Sequence, residues 1–336
     1  MFVYSRFKTK VVKAMILSLF MIVVSLYQCF AQHRSADDYT QLKPKNLAKN
    51  LNLSARALPV VEVNSPYNEY KPGIALHGNT LYFSRAMHPL NTGGPEDMED
   101  IWYADMDKLN DGKIADPKRM ENMLNNAGPN FISSVSVTGD TVMLGNTYGK
   151  HGKMRSGLSY SVKFDGVWTT PKEIKVKNDY NISEHDTAHV SPHAGVIISA
   201  VQRAETLGER DLYVSFWVGG EATEPVNMGN VINSNLDESS PYLCPDKKTL
   251  YFASKGHNGY GGFDIYVTQR LDETWTNWST PENLGPVING PMDEEFFVVT
   301  HCKKYGYFSK QVAANNTDIF KVSMAELFAG YTALFR

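Results

Sequence analysis

An aspartate followed by isoleucine or leucine and then an aromatic residue recurs along this chain at Asp100-Ile101-Trp102, Asp211-Leu212-Tyr213, Asp264-Ile265-Tyr266 and Asp318-Ile319-Phe320. The last three aspartates stand 53 and 54 residues apart, and the wider first gap is divided by Gly157-Leu158-Ser159-Tyr160, 57 residues after Asp100 and 54 before Asp211. A fixed period of this length marks a repeat architecture, in which one supersecondary unit is copied and each copy buries its apolar faces against its neighbours. Three further registers keep the same step. An apolar triplet reads Leu81-Tyr82-Phe83, Val142-Met143-Leu144, Val196-Ile197-Ile198, Leu250-Tyr251-Phe252 and Gly306-Tyr307-Phe308. Prolines fall at Pro117, Pro171, Pro225 and Pro281, with Trp168 and Trp278 each three residues ahead of theirs. An Asn or Asp stands five residues before a Glu or Asn at Asn64/Glu69, Asn125/Asn130, Asp179/Glu184, Asn233/Glu238 and Asn289/Glu294. Five units are present.

Each unit holds four strand-like stretches separated by Gly, Asn, Asp and Pro clusters, with no amphipathic helical window of useful length. The strands are β-branched and aromatic on both faces, as expected when each sheet is covered on both sides by a neighbour. Radially stacked four-stranded sheets meet that requirement, so the sequence predicts an all-β, five-bladed β-propeller of antiparallel blades over residues 56–322. The fifth unit ends at Val322 with no Trp-x-x-Pro stretch, whereas Arg56 to Val63 stands where that stretch belongs. The N-terminal segment is therefore expected to close the last blade and remove an exposed sheet edge. The competing source of that strand is Ser323 to Arg336, but Met324 to Phe328 reads as a short helix.

The unit around Glu238-Ser239-Ser240-Pro241, Leu250-Tyr251-Phe252-Ala253-Ser254 and Gly261-Gly262-Phe263-Asp264-Ile265-Tyr266 resembles the WD40-like, TolB-like β-propeller repeats of bacterial envelope proteins. The resemblance covers residues 57 to 322. It implies a periplasmic or surface-exposed interaction scaffold, without the OmpA-like domain often fused to such repeats.

The N-terminus reads as an address. Lys8, Lys10 and Lys13 precede an apolar run from Ala14 to Leu26, and Cys29 and Ala31 fit a signal-peptidase site, giving a cleaved signal peptide over 1–31 and a polar leader over 32–55. Lipidation at Cys29 is disfavoured by the bulky Gln28, and the run is short for a membrane span. The mature chain is expected in the periplasm or cell envelope, with no membrane span. A net charge of −3 shows no basic excess, so no nucleic-acid partner is expected. Cys244 and Cys302 remain after cleavage and are read as free buried thiols, with pairing left open.

The repeated Asp100, Asp211, Asp264 and Asp318 each open a strand after a polar turn, where a carboxylate accepts loop N–H groups, so they are read as structural. Glu69, Asp237, Glu238, Asp293 and Glu294 are expected to pair with Arg85, Lys255 and Lys310. His185, His189 and His193 are spaced by four, but along a strand that spacing spreads them over about 13 Å, too far for one ion. No metal or cofactor is expected. His88, His151 and His257 fall in loops between second and third strands, which open on one face of a propeller, near Arg85, Lys150, Lys153, Asn258 and Tyr260. That polar rim is the candidate binding surface for an envelope protein or glycan.

Two functions follow. The first is a non-catalytic exported scaffold that binds protein or glycan, with no catalytic residues. The alternative is a propeller glycoside hydrolase or lyase whose carboxylates line the central channel, with Asp186 and Glu295 as the nominated acids.

Overall fold

A computed structural model of the chain describes residues 51–75, 79–107, 113–120, 123–183, 185–191, 194–218, 220–300 and 303–328. The signal peptide, most of the leader, Cys302 and His193 lie outside these residues. Among the described residues no helix is long and apolar enough to cross a membrane.

The chain begins with β1 (Ala57–Pro59) and then runs through five antiparallel meanders. Unit one comprises β2 (Asn68–Ile74), β3 (Thr80–Ala86), β4 (Asp100–Asp107), β5 (Lys113–Ile114) and β6 (Lys118–Arg119). Unit two is β7 (Ile132–Val135), β8 (Thr141–Tyr148), β9 (Met154–Phe164), β10 (Val167–Trp168) and β11 (Lys172–Val176). Unit three is β12 (Thr187–Ser191), β13 (Val196–Val201), β14 (Asp211–Val218), β15 (Glu221–Ala222) and β16 (Val226–Asn227). Unit four is β17 (Glu238–Leu243), β18 (Thr249–Ser254), β19 (Asp264–Gln269) and β20 (Glu282–Asn283). Unit five is β21 (Glu294–Val299), β22 (Tyr305–Ala313) and β23 (Asn316–Ser323), followed by the helical turn α1 (Met324–Leu327).

The first strands form the innermost layer. β2 packs against β7, β7 against β12, β12 against β17, β17 against β21, and β21 against β2, so the five close a ring around one axis. The missing outer strand of unit five is supplied by β1, which pairs antiparallel with β23 through Ala57↔Val322, Leu58↔Lys321 and Pro59↔Phe320. The fold is thus an all-β propeller closed by its N-terminal strand. Units two and three are also joined at their outer edges, where β11 pairs parallel with β15.

The repeated asparagine explains how neighbouring units hold together. Asn233 accepts the Leu212 N–H on Oδ1 (2.7 Å) and donates from Nδ2 to the Leu212 carbonyl (3.1 Å). Asn125 clamps Ile101 in the same way (2.9 and 3.0 Å), Asn289 clamps Ile265 (2.8 and 3.0 Å), and Asn64 clamps Ile319 (2.9 and 3.0 Å). Each clamp ties the start of one unit to the third strand of the unit before it. An amide is the side chain that answers a backbone N–H and a backbone C=O together; the N–H would otherwise be buried without a partner, while the carbonyl also accepts a backbone N–H, from Met228 in the case of Leu212.

The glutamate five residues later folds the intervening turn. Glu69 accepts from the Ser65 N–H and Oγ, Glu238 from the Ser234 N–H and Oγ, and Glu294 from the Gly290 N–H. Arg85 donates to Glu69 at 2.7 Å and Lys310 to Glu294 at 3.0 Å, as the spacing predicts. Unit four departs from it. Ser254 Oγ, not Lys255, reaches Glu238 (2.7 Å), while the Lys255 ammonium lies over the Phe263 ring at 4.3 Å. Lacking a cation, the fully buried Glu238 carboxyl is pushed up to about 7 by desolvation, against the hydrogen bonds of Ser234 and Ser254.

Two outcomes are expected. Asn233→Ala strands the buried Leu212 N–H and lowers stability by about 1–3 kcal/mol in chemical denaturation, with Asn233→Asp intermediate. Glu238 has a folded-state pKa above its unfolded value, so its contribution is fully present below pH 4.5 and is lost as pH rises through about 7. Thermal stability of Glu238→Gln should therefore fall less than that of the parent between pH 5 and 8.

Candidate functional site

The repeated aspartates face the loops between second and third strands. Asp100 accepts from the Thr92 N–H (2.7 Å) and hydroxyl (2.9 Å), Asp211 from the Leu207 N–H (2.9 Å), and Asp264 from the Tyr260 N–H. Asp318 lies at the matching start of β23. The eight rim residues do not converge. Arg85 is buried under Glu69 and the Val63 carbonyl, which it reaches at 2.7 Å. His88 sits edge-on between Tyr67 and Trp102, at 4.8 and 4.9 Å. His257 holds the Ile232 carbonyl through Nε2 at 2.7 Å. Lys150, His151 and Lys153 are exposed around a tight turn, and Asn258 and Tyr260 are exposed on another unit. None of the eight lines either of the two large cavities on this face.

Those cavities flank the axis, at the end where the innermost strands begin. The first, about 480 Å³, lies between units five and one. Its lining includes Tyr70, Met98 and Phe296 and three acids, Glu96, Asp293 and Glu295. The second, about 380 Å³, lies between units two and three and includes Asp179 and Asp186. The two nominated acids therefore line different cavities. Asp186 accepts from Ser156 Oγ at 2.9 Å.

Unrepeated side chains project from the innermost strands at this end. In β2, β17 and β21 the residue two places after the repeat glutamate, Lys71, Ser240 or Phe296, has a left-handed backbone (φ +54°, +50° and +57°) within a β-bulge. Non-glycine residues pay for that conformation with strain, which accumulates where a strand must aim a side chain. The Lys71 ammonium bonds both oxygens of the buried Glu99 (2.9 and 3.0 Å) and stands 3.6 Å from the centre of the Phe131 ring. Glu295 projects from β21 and accepts on Oε1 from Ser239 Oγ (2.7 Å) and Ser240 Oγ (3.0 Å) of the adjoining strand. Ser240 in turn donates its N–H to Thr187 Oγ1 of unit three (2.9 Å). Burial raises the Glu295 carboxyl above the usual carboxylate range, and the Asp293 charge adds to this; the two serines and Arg210 oppose it.

Deeper in the channel the lining turns apolar. His189 is buried edge-on to Tyr242 (5.1 Å) and desolvation lowers it to about 4, whereas His185 is exposed. Among the described residues no group of three His, Cys, Asp or Glu side chains is placed to hold a metal ion. Cys244 is buried, and desolvation holds its thiol well above the ordinary value.

No family profile and no curated protein matches the chain. Solved structures do. A structure of a BT0996 RGII complex is 11% identical, with 82% of this chain and 92% of that one covered at a TM-score of 0.54. An α-L-arabinofuranosidase from Lactobacillus brevis is 12% identical, covering 79% and 94% at 0.46. A GH43 β-xylosidase/α-arabinofuranosidase from a compost metagenome is 11% identical, covering 80% and 94% at 0.48. The first of these shows a shared fold. The structures named here are not the WD40-like, TolB-like repeat proteins expected from the motifs, so that resemblance is corrected, and with it the non-catalytic scaffold reading it implied. The motifs misled for a physical reason: the Asp, Asn and Glu registers stitch blades together, and they carry no chemistry that separates one propeller lineage from another.

Lys71→Met tests this arrangement. It leaves Glu99 as a buried unpaired carboxylate and should cost about 3 kcal/mol, with Glu99→Gln in the same chain recovering part of the loss in urea titration.

Proposed function

We propose that the chain is a glycoside hydrolase whose active site is the cavity between units five and one. The observation that carries this reading is Glu295: a carboxyl on the innermost strand, held by two serines and raised above the usual carboxylate range by burial, lining a cavity of sugar-residue dimensions. A raised carboxyl suits a proton donor. The aromatic and thioether wall of Tyr70, Phe296 and Met98 offers the apolar faces on which sugar rings stack.

In this mechanism Glu295 gives its proton to the glycosidic oxygen as the bond to the anomeric carbon breaks. Glu96, exposed on the facing loop, takes a proton from the water that attacks that carbon from the opposite side. Asp293 is committed to the Phe263 N–H (2.8 Å) and contributes charge, not proton transfer. The outcome is hydrolysis with inversion. The apolar run and cleavage pattern at the N-terminus support an exported enzyme acting on an envelope or extracellular glycan.

Reducing-end release from a panel of neutral polysaccharides should be lowered by about 10²–10⁴-fold in Glu295→Gln, and Glu96→Gln should be rescued in part by azide, giving a glycosyl azide. Unchanged release in Glu295→Gln, or none from the parent on any glycan, contradicts the assignment.

A further inference from the structure

The seam between units two and three is where the repeat fails. Gly157 stands where the other units carry their loop-bonding aspartate, and Asp179 stands where they carry the clamping asparagine. The apolar cluster at this seam, Met143, Ile174, Val190, Ile197 and Ala222, is the smallest of the five among the described residues. Stitching lost from the interior is replaced at the rim by the parallel β11–β15 pairing. At this seam lies the cavity of about 380 Å³.

Its walls are built. Gly157 has φ +136°, and a Cβ there would meet Thr147 Oγ1 at 2.6 Å; a Cβ on Gly145 would fall inside the Phe131 ring, at 1.8 Å. Side chains are thus excluded from two positions that line the space. Asp179, Asp186, Asn181 and Ser156 contribute acceptors and donors, and Tyr180 and Phe131 contribute rings. The Asp179 carboxyl is raised by desolvation and by the charge of Asp186, against the Arg203 guanidinium.

From this geometry we infer that the seam cavity is a second saccharide site, taking uncharged sugar residues through vicinal hydroxyls donated to Asp179 and Asp186. Two carboxylates accept hydroxyl protons well and repel uronate or sulfated residues, which sets the class of sugar. Both cavities open at the same end of the innermost strands. Phe131 lines the seam cavity and underlies Lys71, whose ammonium lies 5.9 Å from the centre of the Phe296 ring of the other. A glycan chain crossing the axis therefore meets both. Insofar as that glycan is the substrate, the inference rests on the proposed hydrolase, and the seam selects polymer over short oligosaccharide.

Affinity electrophoresis through gels containing arabinan, xylan or mixed-linkage glucan tests it, using Glu295→Gln protein so that no polymer is consumed. Adding Asp186→Asn or Tyr180→Ala should weaken retardation by about 10-fold, the loss of one charge-assisted hydrogen bond or one stacked ring. In the active enzyme the same changes should raise KM for polymer and leave kcat/KM for a short aryl glycoside unchanged, a split that a merely misfolded variant does not give. Retardation unaltered by both seam variants overturns the seam site even if hydrolysis is confirmed. Seam-dependent retardation with no bond cleavage by the parent upholds the site and refutes the hydrolase. Retention that requires Ca²⁺ and is insensitive to glycan also overturns it.

Discussion

The asparagine clamp is the interaction on which the rest of this molecule depends. A propeller unit cannot bury its faces alone, so every seam must hold a neighbour in register as well as in contact. Apolar packing between sheets supplies most of the driving force but little directionality. A side-chain amide bonded to both backbone polar groups of one residue fixes the position of the next unit to within a hydrogen-bond length. Because Asn64 performs this service for Ile319, 255 residues away, the same device that joins neighbours also closes the ring. The closing β1–β23 pairing then finds its register already set.

With register secured by the loops and outer strands, the innermost strands are free to carry side chains that packing does not demand. That freedom is where Lys71, Ser240, Phe296 and Glu295 come from. Their bulged backbones aim unlike groups at one level of the channel, where Lys71 pairs with Glu99 and where Glu295 and Phe296 line the cavity between units five and one. The seams are unequal for the same reason. Four keep the full Asn clamp, including the one between units five and one that carries the larger cavity; the one between units two and three has exchanged it for Asp179.

The fold was legible because its determinants are periodic. The Asp-Ile-aromatic step, the Asn-to-Glu spacing and the absence of a last outer strand after Val322 predict the propeller and its N-terminal closure, and each has a direct counterpart in a strand pairing or clamp. Pairing of Glu69 with Arg85 was legible from position alone, but Glu238 with Ser254 was not, since a hydroxyl one residue earlier leaves no charge signal. The site was poorly legible. Reading loop residues as a converging rim overlooked that His88 and His257 are large enough to fold back onto their own units. Cavities arise between units, from residues far apart in the chain such as Tyr70 and Glu295, and no local pattern announces them. The available signal was departure from the repeat: Gly157, Asp179, and Glu295 beside a repeat acid.

The most direct measurement is a crystal structure of Glu295→Gln protein soaked with a neutral oligosaccharide. The account requires a sugar ring against Tyr70 and Phe296 with its glycosidic oxygen beside residue 295. An empty cavity there in a crystal that binds the same oligosaccharide elsewhere on the molecule would contradict it.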